Sequence, residues 1–303
     1  MKKHELLFKR IEHDFGVPAP VLVAIWGLES DFGAVVGTFP TFRALATLAY
    51  DCRRSQEFRT QLLAALRLVD HGDLKTSEMV GDWAGELGPM QFPASDYNDF
   101  AVDYDGDGRR DLIRSLPDML ASTANFLAKK GWHRGEPWLQ EVRVLADTPW
   151  QEADLAIYHP RSQWAKWGVM LADKTALPAD ELPASLLLPM GHAGPAFLAY
   201  ENFRTYLRWN QSLVYATTAA YLATRLAGAP PVGRGALDIS PLQPAQLIEL
   251  QQLLIKHDYL FGSADGKLGR ATRLAVKTAQ LAFGLPADSY PTVDLLDQLR
   301  ALP

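Results

Sequence analysis

The stretch Val21-Leu22-Val23-Ala24-Ile25-Trp26-Gly27-Leu28-Glu29-Ser30-Asp31-Phe32-Gly33 runs from unbroken apolar residues to a single carboxylate. Pro18 and Pro20 stand just before it, and proline suits the first turn of a helix. A helix is therefore predicted from about Ala19 to Ser30, with Glu29 near its C-terminal end. A carboxylate among apolar neighbours loses hydration, which disfavours its charged form and raises its pKa. A carboxylic acid still protonated near neutral pH can give its proton to a leaving oxygen. Glu29 is thus the general-acid candidate; the competing reading is a buried Glu neutralised by an arginine.

Helical periodicity continues on both sides of this stretch. Residues 4–15 carry Leu7, Ile11 and Phe15 at i, i+4 and i+8, with Gly16 as the stop. Residues 41–50 and 55–70 repeat the pattern, the second with Leu62, Leu66 and Val69 as its apolar stripe. Residues 81–118 are rich in Gly and Asp and read as loops around short elements. Helix is expected again over 117–130 and, as one or two segments, over 202–226. Between them, residues 133–190 read as irregular, with short strands near 141–146 and 186–189.

The run Ala227-Gly228-Ala229-Pro230-Pro231-Val232-Gly233-Arg234-Gly235 has linker composition. It divides the chain into a large domain over 1–226, a linker over 227–240 and a small domain over 241–303. The small domain is expected to hold three short helices. Leu247, Leu250, Leu253 and Leu254 stripe the first; Thr272, Val276 and Gln280 lie on the second, after an Asp265-Gly266 turn. The predicted class is mainly α.

A length of 303 residues accommodates one large and one small domain. The formal net charge of −5 excludes a general nucleic-acid binder, which would carry a basic excess. One cysteine, Cys52, allows neither an intrachain disulfide nor a multi-cysteine metal site, and it reads as a half-buried small apolar residue. No apolar run reaches the roughly 18 residues of a membrane span. No signal-peptide core follows Met1-Lys2-Lys3, so either a cytosolic protein or a chain lacking its native N-terminus is expected. There is no His-Glu-x-x-His, no Gly-x-Ser-x-Gly and no phosphate or dinucleotide fingerprint.

Two further stretches carry chemistry. Asp103-Tyr104-Asp105-Gly106-Asp107-Gly108-Arg109-Arg110-Asp111 fits the first nine positions of a calcium loop. Acids stand at 1, 3, 5 and 9, Gly at 6, and the Arg109 carbonyl at 7. Position 12 departs, with Arg114 in place of the bidentate Glu; Asp118 is the carboxylate that can replace it. A structural calcium bound by Asp103, Asp105, Asp107, the Arg109 carbonyl and Asp118 is expected, against the alternative of an ion-free Asp/Gly turn. Gly81-Asp82-Trp83-Ala84-Gly85-Glu86-Leu87-Gly88-Pro89-Met90-Gln91-Phe92 mixes glycines, acids and aromatics. Glycines let backbone approach a ligand closely, and the Gln91 amide both donates and accepts, as sugar hydroxyl and acetamido groups require. Asp82 and Glu86 are possible second carboxylates; the alternative is a surface loop. Trp209, Asn210 and Tyr215 are candidates for sugar contact through aromatic faces and polar tips.

Together these segments resemble the B-type lytic murein transglycosylases, glycoside hydrolase family 103. The matching stretches are 21–33 around Glu29, Arg53-Arg54, 83–92 with Gln91, the 103–111 loop, Ser122-Thr123-Ala124-Asn125-Phe126, and Trp209-Asn210 with Tyr215. Residues 241–303 are similar to a small three-helix peptidoglycan-binding domain. The resemblance implies a lysozyme-like α domain with an embedded EF-hand-like loop, acting on peptidoglycan glycan strands in the periplasm of a bacterial cell envelope. It implies cleavage of the β-1,4 bond between N-acetylmuramic acid and N-acetylglucosamine without water or a catalytic cofactor. Glu29 is then acid and later base, and Arg53, Arg54, Asp82, Gln91, Phe126, Trp209, Asn210 and Tyr215 bind substrate. Departures fall at Asp82, where Ser is frequent, at Phe126 and Trp209, where Tyr is common, and at Ala279, where Phe is usual. The chain also starts inside the family pattern, so a preceding helical segment of the groove is expected to be missing. A non-catalytic wall-binding protein and a lysozyme-type muramidase are the alternatives.

Overall fold

The computed structural model describes residues 1–303 apart from Arg234 and residues 236–238. The linker expected over 227–240 therefore lies partly outside the described residues. The chain forms two compact units: residues 1–136, 205–211 and 215–229 in the first, and 137–204, 212–214 and 230–303 in the second.

The first unit contains α1 (Glu5–Phe15), α2 (Ala19–Ser30), the short strand β1 (Phe39–Pro40), α3 (Thr41–Tyr50), α4 (Ser55–Asp70), β2 (Val80–Gly81), α5 (Ala94–Phe100) and α6 (Leu116–Lys129). Val21 to Ile25 of α2 are all buried, as their composition requires. Asp31 and Phe32, both at positive φ, end that helix, with the Asp31 N–H closing onto the Gly27 carbonyl at 3.0 Å. The stripe expected on α4 is displaced. Phe58, Ala64, Ala65 and Leu68 face the core, and Leu66 is exposed. Two alanines let α4 pack closely, so size rather than hydrophobicity chose the buried face. Cys52 is exposed, not half-buried.

In the second unit the strands expected near 141–146 and 186–189 overlap two observed ones, and the rest of 133–190, expected as irregular, adds a helix and further strands. The unit holds β3 (Leu139–Arg143), β4 (His159–Pro160), α7 (Arg161–Lys166), β5 (Met170–Leu171), β6 (Pro183–Leu187) and β7 (Ala196–Ala199). These strands form an antiparallel sheet in the order β4-β6-β7-β3-β5, with Leu186 opposite Leu198 and Gln140 opposite Leu198 on its other side. All four residues of β7, and all of β6 after Pro183, are buried. Such strands show no alternation, which is why periodicity did not reveal the full extent of the sheet. Trp164 is fully buried beneath it and its indole N–H donates to the Ala184 carbonyl at 2.9 Å.

The chain continues through α8 (Glu201–Trp209) and α9 (Leu213–Leu226), which fall mostly in the first unit. It ends with α10 (Pro244–Lys256), α11 (Arg270–Ala282) and α12 (Val293–Arg300) in the second. Leu250, Leu254, Val276, Ala279, Leu295 and Leu299 close the core of these three helices. The buried Gln251 accepts from the Gly266 N–H at 2.7 Å, and Gln280 from the Ser289 N–H at 3.0 Å, so each fixes a turn. These helices also pack on the sheet region. His192 donates its backbone N–H to the buried Asp288 carboxylate at 2.9 Å, and Arg273 donates to the Pro189 carbonyl at 2.8 Å.

In the first unit, the loop after β2 turns back on itself through Leu87 and Phe92, which exchange two backbone hydrogen bonds of 2.9 Å. Gly88 in that turn has φ +71°, and a Cβ there would lie 2.4 Å from the Leu112 carbonyl oxygen. Gly106 has φ +79° with nothing within 4 Å. Gly88→Ala should therefore destabilise the protein by about 2 kcal/mol or more, and Gly106→Ala by about 1 kcal/mol. Urea denaturation of both variants measures this, and equal losses would mean that backbone contact at 88 is no constraint.

Candidate functional site

Glu29 sits one residue before the end of α2, half-buried. The Trp209 indole N–H donates to its Oε1 at 2.7 Å, and the Tyr215 hydroxyl donates to the same oxygen at 2.5 Å. No cation pairs with it among the described residues, so none of these supports the arginine-neutralised alternative. Burial raises the Glu29 pKa above the ordinary carboxylate value, and the Tyr215 and Trp209 hydrogen bonds oppose that rise. The Tyr215 hydroxyl is itself pushed far up, by burial first and then by the Glu29 charge, so it stays a donor.

Each partner is fixed by packing. Trp209 meets Phe92 and Phe126 edge to face, with centroids 5.2 and 5.0 Å away. Phe126 was expected among the substrate contacts, but it is only 3% exposed. Its ring supports Trp209 instead. Ser30, which the sequence reading passed over, clasps the end of α2 to the glycine-rich loop. Its hydroxyl donates to the Pro89 carbonyl at 2.6 Å and accepts from the Gly33 N–H at 2.9 Å. A small hydroxyl directly after the candidate acid was the available signal for this role.

Gln91 takes a left-handed φ of +52° and its side-chain N–H donates to the Gly88 carbonyl at 2.8 Å. The Asp82 carboxylate accepts the N–H groups of Ala84 and Glu86, both at 2.9 Å, and so shapes its own loop. A cavity of about 290 Å³ opens beside this loop, walled by Arg54, Gln61, Asp82, Trp83 and Glu86 among others. Glu86 is pushed up to about 7, first by burial and then by the charges of Asp82 and Glu29. Arg54 donates to Glu57 at 2.8 Å, while Arg53 is exposed and paired with Asp51 at 2.9 Å. Arg53 is not part of the cavity wall. Asn210 follows α8 and its backbone N–H donates to the Tyr206 carbonyl at 2.8 Å.

In the acidic loop, carboxylate oxygens of Asp103, Asp105 and Asp118 come within 4.8 Å of one another. Asp118 is fully buried, and it accepts the N–H groups of Tyr104 at 2.7 Å and Asp111 at 2.9 Å. Burial raises its pKa against the pull of those donors. Three hard oxygens around one point, one of them desolvated, fit a calcium-type cation. Asp107, expected as a ligand, stands outside the trio; its carboxylate accepts the Arg109 N–H at 2.9 Å. The side chains of Arg109 and Arg114 both bind Glu78 at 2.7 Å, so the arginine at position 12 is engaged outside the trio.

Comparison with known proteins places this geometry. SltB3 from Pseudomonas aeruginosa, solved in complex with NAG-anhNAM-pentapeptide, is 43% identical with a TM-score of 0.90, over 99% of this chain and 81% of that one. The Escherichia coli lytic transglycosylase Slt35 in complex with calcium is 29% identical with a TM-score of 0.64, over 75% of this chain and 71% of that one. Membrane-bound lytic murein transglycosylase B of Escherichia coli (strain K12) is 29% identical over 228 residues, which is 74% of this chain. The match spans 61% of that protein's length. Residues 243–299 match a peptidoglycan binding domain, and residues 1–224 match the transglycosylase SLT domain. With the matched segment covering most of its length, the chain belongs to the SLT transglycosylase family.

Proposed function

We infer that this protein is a lytic transglycosylase of peptidoglycan turnover, cleaving the β-1,4 bond between N-acetylmuramic acid and N-acetylglucosamine in glycan strands. The observation that carries this reading is the half-buried Glu29 carboxyl, held on one oxygen by Trp209 and Tyr215 and paired with no cation among the described residues. With Oε1 accepting two hydrogen bonds, the proton resides on Oε2. Glu29 gives that proton to the glycosidic oxygen as the bond to muramic acid C1 breaks. The resulting carboxylate then takes the proton of the C6 hydroxyl, whose oxygen bonds C1 and closes the 1,6-anhydro ring. One carboxylate serves both steps because the nucleophile belongs to the substrate, unlike the paired carboxylates of most glycosidases. The relative with 43% identity, solved with NAG-anhNAM-pentapeptide, supports this product.

Arg54, Asp82 and Gln91 are assigned to the substrate groove, with Arg53 and Asn210 at its margin. Residues 1–226 form the catalytic domain on this reading, and residues 241–303 hold the chain on the wall. A periplasmic location follows from the substrate; no helix among the described residues is long and apolar enough to cross a membrane. Calcium at Asp103, Asp105 and Asp118 has a structural role, tying the loop before α6 to the helix itself.

Product mass tests the reaction. Digested sacculi should release anhydromuropeptides, and products one water heavier would make the enzyme a muramidase. Glu29→Gln should keep the fold and lower turnover by about 10²–10⁴-fold or more, because an amide cannot transfer the proton; near wild-type release would remove Glu29 from the mechanism. Tyr215→Phe deletes a donor that favours the charged carboxylate, so the Glu29 pKa rises. The alkaline limb of kcat/KM should move to higher pH, and a shift to lower pH would contradict the assignment. Calcium bound only to the folded state should raise Tm with its concentration. A Tm unchanged between chelator and millimolar calcium, with no ion found by elemental analysis, would rule the metal out.

A further inference from the structure

Glu86 has a settled backbone and an uncommitted side chain. Its N–H donates to the Asp82 carboxylate at 2.9 Å and its carbonyl accepts the Asp82 N–H at 3.3 Å. Neighbouring glycines press the loop into place: a Cβ on Gly81 would lie 1.8 Å from the Glu86 carbonyl oxygen, and one on Gly85 would lie 2.6 Å from Leu45. The Glu86 carboxyl, by contrast, makes no side-chain hydrogen bond or ion pair among the described residues. Arg54, the cation on the same wall, is committed to Glu57. A half-buried carboxyl without a partner is costly for stability alone. It is economical only where a ligand completes it.

We propose that Glu86 is a specificity-determining residue for the transglycosylase reading above, donating a hydrogen bond from its carboxylic acid to an amide carbonyl oxygen of peptidoglycan in the 290 Å³ cavity. Amide carbonyls occur in the acetamido groups of the sugars and in the peptide stem. The electrostatics agree. Burial, then Asp82, then Glu29 push Glu86 up to about 7; Arg54 on the approach to α4 opposes this, and Asp96 on α5 adds to it. Glu57, also on the cavity wall, is itself held low by Arg54. Below that value Glu86 is a donor. Above it, the carboxylate can only accept, repels a carbonyl oxygen and adds a charge near Glu29.

The test uses the full chain with Glu29→Gln, which binds without turnover, and calorimetry from about pH 5.5 to 8.5. The ligands are an N-acetylglucosamine tetramer, which carries acetamido groups alone, and a soluble muropeptide tetrasaccharide with its stems. Affinity should fall about tenfold as pH rises, with a midpoint below 7 because Glu29→Gln removes one of the charges that raise Glu86. Adding Glu86→Gln should abolish the fall and keep tight binding at high pH, because the amide donates at every pH. Adding Glu86→Ala should give weak, pH-independent binding, and serves as the readout if the Gln variant fails to melt cooperatively. A fall seen with both ligands assigns the acetamido group; one confined to the muropeptide assigns the stem. A fall that persists in both Glu86 variants, or pH-independent binding by the parent, overturns the role of Glu86. Absence of binding by every folded form at every pH overturns the glycan reading instead.

Discussion

A carboxyl group at the end of an apolar helix loses hydration, and the first unit is arranged around the two hydrogen bonds that offset this loss. Glu29 lies 180 residues before Trp209 and 186 before Tyr215 in the chain. Bringing both donors to one oxygen requires α8 and α9 to return to α2. Phe92 and Phe126 then fix the Trp209 ring, and Ser30 fixes the end of α2 to the loop that carries Phe92. Neither donor is charged. A cation at this place would lower the carboxyl pKa strongly, whereas a phenol and an indole orient the group and burial still raises its pKa above the ordinary value. The two neutral donors thus fix the carboxyl in place while opposing the rise in its pKa that burial causes.

Departure from the calcium-loop pattern at Arg114 has a structural consequence. Arg109 and Arg114 converge on Glu78, whose carboxyl is held down to about 2 by the Lys75 N–H first and by the guanidinium groups. Arg110 pairs with Asp73 in the same segment. The loop is therefore tied on one side to residues 73–78, which lead into β2 and the glycine-rich loop, and on the other to α6 through Asp118. Charge-assisted hydrogen bonds at partly buried positions do this more firmly than exposed pairs would.

The second unit shows how a small helical domain can be held by few polar contacts. Asp288 is buried, accepts from His192 on the sheet side, and accepts from Gln280 at 2.8 Å on the helical side. One carboxylate thereby serves the interior of the three-helix core and its attachment to the loop after β6. Ala279 is buried in that core, which closes without an aromatic at this position because Phe283, Leu285 and Tyr259 pack around it.

Local sequence sufficed to predict α1 to α4, α6 and three C-terminal helices: apolar spacing for α1, and for α2 the unbroken apolar run behind Pro18 and Pro20, whose residues 21–25 are all buried. Local sequence also singled out Glu29, whose polarity conflicts with its neighbours in the chain, and the acids at 103, 105 and 118, where most of the spacing is local and whose carboxylate oxygens come together. Periodicity could not disclose β7, buried on both faces, or choose Ala64 and Ala65 over Leu66 on α4, since close packing depends on what stands opposite. Phe126 and Trp209 were grouped together by pattern, yet only packing made one the support and the other the donor. The raised pKa of Glu86 was likewise decided by tertiary structure, because desolvation and the fields of Asp82 and Glu29 act through space. What is encoded in neighbouring residues was legible in the chain; what arises from residues brought together across nearly two hundred positions required the fold.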